Sequence, residues 1–168
     1  IARKAMEIAA QIQTINRDQR AVNVVYPIGS GALFCSAYKG IEELRSLGLF
    51  DQPIKMWAVQ PDQCAPVINA IESGKIIPIK DPRTVAKSIA IGNPGSGRQA
   101  LKIIQEHGGG WAVSEADIID FTLRLYETEG IFSKMVGGAV LAGVKKGVES
   151  RGIKQGDIVV ANITASGK

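Results

Sequence analysis

Three observations predict a three-layer α/β fold, in which helices cover both faces of a mainly parallel sheet. Apolar runs with a strand look alternate with stretches of helical spacing along the chain, the order that parallel strands joined by crossover helices require. The runs "VNVVYPI" (22–28) and "DIVVANI" (157–163) are β-branched and almost continuously apolar, as strands buried on both faces must be. The 168 residues suffice for one domain with a real core, and no linker, internal repeat or low-complexity tract divides them.

The elements follow in order. Residues 2–13 repeat apolar groups at helical spacing, and 22–28 form the first strand. A helix over 32–47 leads to the strand "IKMWAVQP" (54–61), closed by Pro61. "CAPVINAIESG" (64–74) predicts a short helix stopped by Gly74. After a loop with Pro78 and Pro82 comes "TVAKSIAIGNPGSG", then a helix from Arg98 to about His107 and a short strand in "GGGWAV". Ser114 caps the helix "SEADIIDFTLRLYETEG", and Asp117 in its first turn opposes the helix dipole. A further helix runs through "GGAVLAGVKKGVESRG" (137–152), and "DIVVANIT" is the last strand.

Composition narrows the function classes. Apolar content of 45% and charged content of 21% are ordinary for a soluble globular protein. The net charge of +4 is mild and its cations are interspersed with acids, which favours a small anionic ligand over nucleic acid. No run approaches the roughly 18 apolar residues of a membrane span, and the opening "IARKAMEIAA" has no cleavage pattern. Cys35 and Cys64 lie in no ligand cluster and predict reduced core thiols in a cytoplasmic protein rather than a metal site. The chain opens with Ile1 inside a helical pattern, with neither Met nor N-cap, the look of a piece of a longer protein.

The segment that carries chemistry is "YPIGSGALFCSAYKG" (26–40), where two glycines and a serine join a strand to a helix. In such sheets ligands gather at the C-terminal ends of strands, beside helix N-termini. Gly29 and Gly31 can take positive φ and expose backbone N–H groups, Ser30 adds a hydroxyl, and the helix adds its positive end, which together make a phosphate cradle. A tight strand-to-helix turn without a ligand explains the same residues. Gly-Lys-Ser/Thr is absent and Phe34 stands at the third glycine position, so neither a P-loop nor a dinucleotide fingerprint is present.

"YPIGSGALFCSAYKGIEELRSLGLFDQPIKMWAVQP", "AIGNPGSGRQALKIIQEHGG", "AVSEADIIDFTLRLYETEGIF", "GGAVLAGVKKGV" and "DIVVANITASGK", in that order, resemble the pyridoxal-phosphate enzymes of the tryptophan-synthase β-subunit fold type. Within them, "IGNP" followed by "VSEADI" and "EGIF" resembles threonine synthase more than the serine and threonine dehydratases. The resemblance implies that residues 1–168 are the C-terminal part of a pyridoxal-phosphate-dependent large domain, an incomplete one, whose N-terminal part and small domain are not in this chain. It implies a lyase converting O-phosphohomoserine and water to threonine and phosphate, with pyridoxal 5'-phosphate as cofactor and a phosphorylated amino acid as substrate. Gly29, Ser30, Gly31, Ala32 and Leu33 would grip the cofactor phosphate through N–H groups, Thr164 would face the pyridine nitrogen, and Asn93 would lie on the substrate-side loop. A hydroxyl facing that nitrogen does not force its protonation as an Asp would.

The chain departs from the family at four places. Ala32 replaces a usual glycine, Ala90 a frequent arginine, Lys134 a glutamate, and Met135 a small residue. Exchanging an anion for a cation near the cofactor alters local pKa values. That leaves two further readings open: a related phospho-amino-acid enzyme such as cysteate synthase, or a non-catalytic module binding a phosphate ligand or a partner chain. The family's Schiff-base lysine lies upstream, so no catalytic residue is assigned here. Lys39, Lys145 and Lys146 are read as solvated helix-surface charges and His107 as a helix C-terminal residue. An unpaired sheet edge predicts a homo-oligomer or pairing with the missing N-terminal part. One cofactor must touch both sites, so Thr164 should lie at the same end of the sheet as Gly29–Gly31, on a strand parallel to 22–28.

Overall fold

The computed structural model describes residues 2–18 and 20–167. Four strands, β1 (Val22–Pro27), β2 (Ile54–Pro61), β3 (Gly108–Val113) and β4 (Ile158–Ala161), form one sheet in the order β3-β2-β1-β4. Every pairing is parallel: Val22 stands opposite Ile54 on one side and Ile158 on the other, and Met56 opposite Gly108. Side chains alternate across a strand, so Val24 and Val25 enter different cores. Val22, Val24 and Tyr26 join the helices α1 (Ala2–Ile15), α2 (Ala32–Ser46) and α3 (Gly97–His107) in one core. Val25, Val59 and Val113 join α4 (Glu115–Glu129) and α5 (Met135–Glu149) in the other. Two cores on one parallel sheet make the predicted three layers. Because β1 and β4 run the same way, the loops that leave them emerge at one edge.

Three local expectations need correction. The segment 64–74 is not a helix but a series of tight turns, with 3-10 pieces at Asp62–Cys64 and Ile68–Ala70. Pro66 brings no N–H, and the carbonyl oxygen of the buried Gln60 side chain accepts the N–H groups of Val67 at 2.9 Å and Ile68 at 3.2 Å. This tertiary anchor outweighs the weak propensity of a short apolar run. Gly74 does act as the stop, at φ 68 with its N–H on Ala70 O. The last strand, Ile158–Ala161, is shorter than 157–163: its bonding to β1 ends at Asn162, whose backbone N–H and side-chain amide both donate to Val25 O at 3.1 Å. The helix expected over 137–152 is α5, shifted toward the N-terminus. It starts after the extended Lys134 and ends before Arg151, whose φ of 57 is left-handed.

Candidate functional site

The turn after β1 is built by close approach. Ile28 ends the strand with its N–H on Val59 O (2.9 Å) and its carbonyl on the Gln60 amide (3.3 Å). At Gly29, a Cβ would stand 3.2 Å from Ile89 Cα and 3.1 Å from Ile91 Cδ1. Gly31 caps α2 at φ 87, ψ −12, and a Cβ there would meet Ser96 O at 3.1 Å. Conformation and space therefore both select glycine at position 31. Ser96 N–H donates to Ser30 O at 2.9 Å, clamping the turn to the start of α3. The first N–H groups of a helix have no acceptor within it. In α2 the first such bond is Cys35 N–H to Gly31 O at 3.0 Å, so the amides of Leu33 and Phe34 precede it at the positive end. Ala32 N–H lies 3.4 Å from Ser30 Oγ, a long contact.

These residues open onto a cavity of about 310 Å³. Gly29, Ser30, Gly31 and Leu33 form one side, Ser88, Ile89 and Ile91 a second, and Val136, Thr164 and Ala165 a third. The loop after β4 thus brings Thr164 to the same cavity as the glycine turn. Ala32 is exposed at the start of α2, and Asn93 is exposed in the bend before α3; neither lines the cavity. None of the lining residues is charged. The electrostatic character of the site therefore comes from backbone N–H groups and from the N-terminal ends of α2 and α5, the latter entering through Val136.

Two further cavities border this one. Leu33 and Thr164 also line a space of about 290 Å³ with Tyr26, Gln11 and Asn162. The Tyr26 hydroxyl is buried without a partner among the described residues, and burial pushes the phenol up to about 12. Ser88 is shared with an apolar cavity of about 430 Å³ whose wall includes Val85, Phe132, Lys134 and Met135. Lys134 thus lines a cavity that shares Ser88 with the one at the glycine turn. Lys146, expected to be solvated, instead donates to Ala112 O, and Lys145 pairs with Asp117 at 2.9 Å. His107 does end α3, and its ring nitrogen pairs with the Tyr38 hydroxyl at 2.7 Å.

The wall at Ser88–Ile91 and the contribution of Val136 escaped the sequence reading. Only "AIGNP" marked the wall as a segment of interest, and nothing in its spacing showed that Ile89 backs onto Gly29. Glu115, which grips Thr84 and Val85 ahead of that wall, was hidden inside a helix-start pattern.

The family described as "Pyridoxal-phosphate dependent enzyme" matches residues 2–165. The chain belongs to that family. Threonine synthase from Methanosarcina acetivorans is 35% identical over 144 residues, 84% of this chain and 36% of that protein. Threonine synthase from Methanocaldococcus jannaschii is 33% identical over 147 residues, again 36% of its length. The chain thus spans little more than a third of these relatives. Among solved structures, a fungal L-serine ammonia-lyase from Rhizomucor miehei matches with TM-score 0.77 and 18% identity over 98% of this chain and 50% of that one. A threonine deaminase from T.th. matches with TM-score 0.75 and 18% identity, covering 99% and 50%. At such identity these two matches speak for the fold. Pyridoxal phosphate is the cofactor of the family, and a cavity walled by glycines, backed by helix N-termini and free of charged side chains fits its phosphate arm.

Proposed function

We propose that this chain is the C-terminal part of a pyridoxal-phosphate-dependent large domain, and that the intact parent is a threonine-synthase-like lyase turning O-phosphohomoserine and water into threonine and phosphate. The observation that carries the reading is the convergence of the Gly29–Leu33 turn and Thr164 on one cavity. In this reading the N–H groups of Ser30, Gly31 and Leu33 hold the cofactor phosphate, with the positive end of α2 supplying countercharge that no side chain provides. The Thr164 hydroxyl orients the ring by a hydrogen bond to its nitrogen while adding no charge. Apolar walls from Ile89, Ile91 and Val136 exclude water, and Asn93 belongs to the substrate-side loop. When bound, the cofactor supplies an electron sink for a carbanion on the amino acid. The lysine that would bond it covalently belongs to the part of the parent outside this chain.

The test is phosphate release from O-phosphohomoserine by the intact protein. Threonine formed in equal amount supports the reading; ammonia released from serine or threonine instead sinks the substrate assignment. Lys134 favours a second reading, a related enzyme for another phospho-amino acid such as the substrate of cysteate synthase, since it puts a cation in the wall of the cavity that shares Ser88 with the cradle. Turnover of that substrate in preference to O-phosphohomoserine decides between the two.

A further inference from the structure

We infer that Glu115 is a positioning residue for the phosphate cradle: from the first turn of α4, its carboxylate holds the 84–91 segment that forms the wall facing Gly29. The inference rests on the reading of the Gly29–Leu33 turn as a phosphate site.

An acidic residue in the first turn of a helix ordinarily faces solvent and opposes the dipole. Ser114 and Asp117 already serve that end of α4, the Ser114 hydroxyl accepting from Asp117 N–H at 3.1 Å. Glu115 instead reaches another segment. Its Oε2 accepts the Val85 N–H at 2.7 Å and the Thr84 hydroxyl at 3.1 Å. Thr84 is buried, and its Oγ1 accepts the Ala86 N–H at 3.0 Å. Ala86 O then accepts the Ile89 N–H at 3.0 Å, and Ile89 O the Ile91 N–H at 2.8 Å. Ile89 and Ile91 are the residues that would crowd a Cβ at Gly29. A relay of hydrogen bonds thus joins a carboxylate on α4 to the wall of the cradle.

The wall depends on such an anchor. Residues 84–91 contain one 3-10 turn, Lys87–Ile89, and pair with no strand of the sheet. No helix ladder or sheet register fixes them. The second oxygen, Oε1, is buried without a partner among the described residues. A buried polar atom left unpaired calls for an explanation, and the two bonds that Oε2 makes to the 84–85 segment supply one, since they fix the carboxylate where it is.

The test compares Glu115→Ala, Glu115→Gln and Thr84→Val with the unaltered full chain. Three quantities are read: hydrogen exchange at Ala86, Ile89 and Ile91, affinity for pyridoxal 5'-phosphate and for inorganic phosphate, and thermal unfolding. Glu115→Ala is expected to speed exchange at all three amides and to weaken both affinities about tenfold, the loss expected for one charged hydrogen bond. Glu115→Gln keeps an oxygen for the Val85 N–H and restores most of the affinity. Thr84→Val breaks the next link without removing charge, and should speed exchange at Ala86 with a smaller loss of affinity; it decides the matter if Glu115→Ala fails to fold. Faster exchange confined to α4, or unchanged affinity beside a lowered melting temperature, would show a helix-start role and overturn the inference. If the unaltered chain binds neither probe, the phosphate reading fails, while the exchange rates still decide whether Glu115 holds the wall.

Discussion

Gly31 is the position where one added methyl group has the clearest cost. Its φ of 87 is left-handed, and a Cβ would press on Ser96 O at 3.1 Å. Gly31→Ala should cost about 1–2 kcal/mol from the backbone conformation alone, and more if Ser96 must retreat. Urea unfolding checks this, and an unchanged midpoint would mean that the turn relaxes freely. Tyr26 behaves oppositely. Its hydroxyl is buried and unpartnered among the described residues, so Tyr26→Phe should leave stability unchanged or raise it by up to about 1 kcal/mol, because no bond is lost and a desolvated polar atom is removed. A loss of stability in the same denaturant assay would reveal a partner for the hydroxyl. Desolvation raises the folded-state pKa of this phenol to about 12, above the ordinary value near 10. Its contribution is therefore complete below pH of about 10 and is lost as pH rises through that window, with the phenolate absorbance of the folded protein appearing late.

At the scale of elements, the α4–α5 pair is tied where Asp117 meets Lys145. The Lys145 hydrogen bond, then that of the Ser114 hydroxyl, holds the Asp117 carboxyl below its ordinary range, and Asp117 in turn raises Lys145. A depressed carboxylate stabilises fully above its unfolded pKa of about 4 and stops doing so as pH falls through the lower folded value. The raised lysine contributes fully below about 10.4 and loses its contribution above that. Stability from this tie should therefore be flat between these limits. Asp117→Asn should be less stable than the parent at neutral pH, with the two converging in acid. Parallel pH curves that never converge would exclude the ion pair as the cause. Ser114→Ala, which removes the cap from Asp117 N–H, should cost about 1 kcal/mol in thermal or urea unfolding.

The whole molecule presents two sheet edges, β3 and β4, because the order β3-β2-β1-β4 leaves both outermost. Exposed apolar groups gather at α4 and the loop that follows it, with Leu123 at 56%, Tyr126 at 57% and Phe132 at 64% exposure. Unpaired edges and apolar patches seek partners, so association is expected, either with a second copy or with the remainder of a longer parent. Light scattering over a range of concentrations checks it. A monodisperse monomer at high concentration sinks the expectation, and Phe132→Ser should lower the average mass if this patch takes part.

What the sequence determined by itself is what local pattern encodes: the alternation that makes three layers, the Ser114 cap, the Gly74 stop, and a strand-to-helix turn whose glycines belong at the end of β1. Each depends on a few neighbouring residues, and period, cap and turn chemistry are readable at that range. A mainly parallel sheet also followed from the alternation, since crossover helices return the chain between strands, whereas the expectation that Thr164 lies beside the turn came from the family resemblance and the short span of one cofactor. The tertiary structure alone decided the rest. Gln60 overrode a helical pattern at 64–74 because a buried amide must find partners, and its partners were the N–H groups of Val67 and Ile68. The irregular segment 84–91 became a cavity wall through Glu115, 30 residues away in sequence from Val85. No period in the sequence marks such a contact, because burial and hydrogen-bond partnership depend on which surfaces meet once the layers have packed.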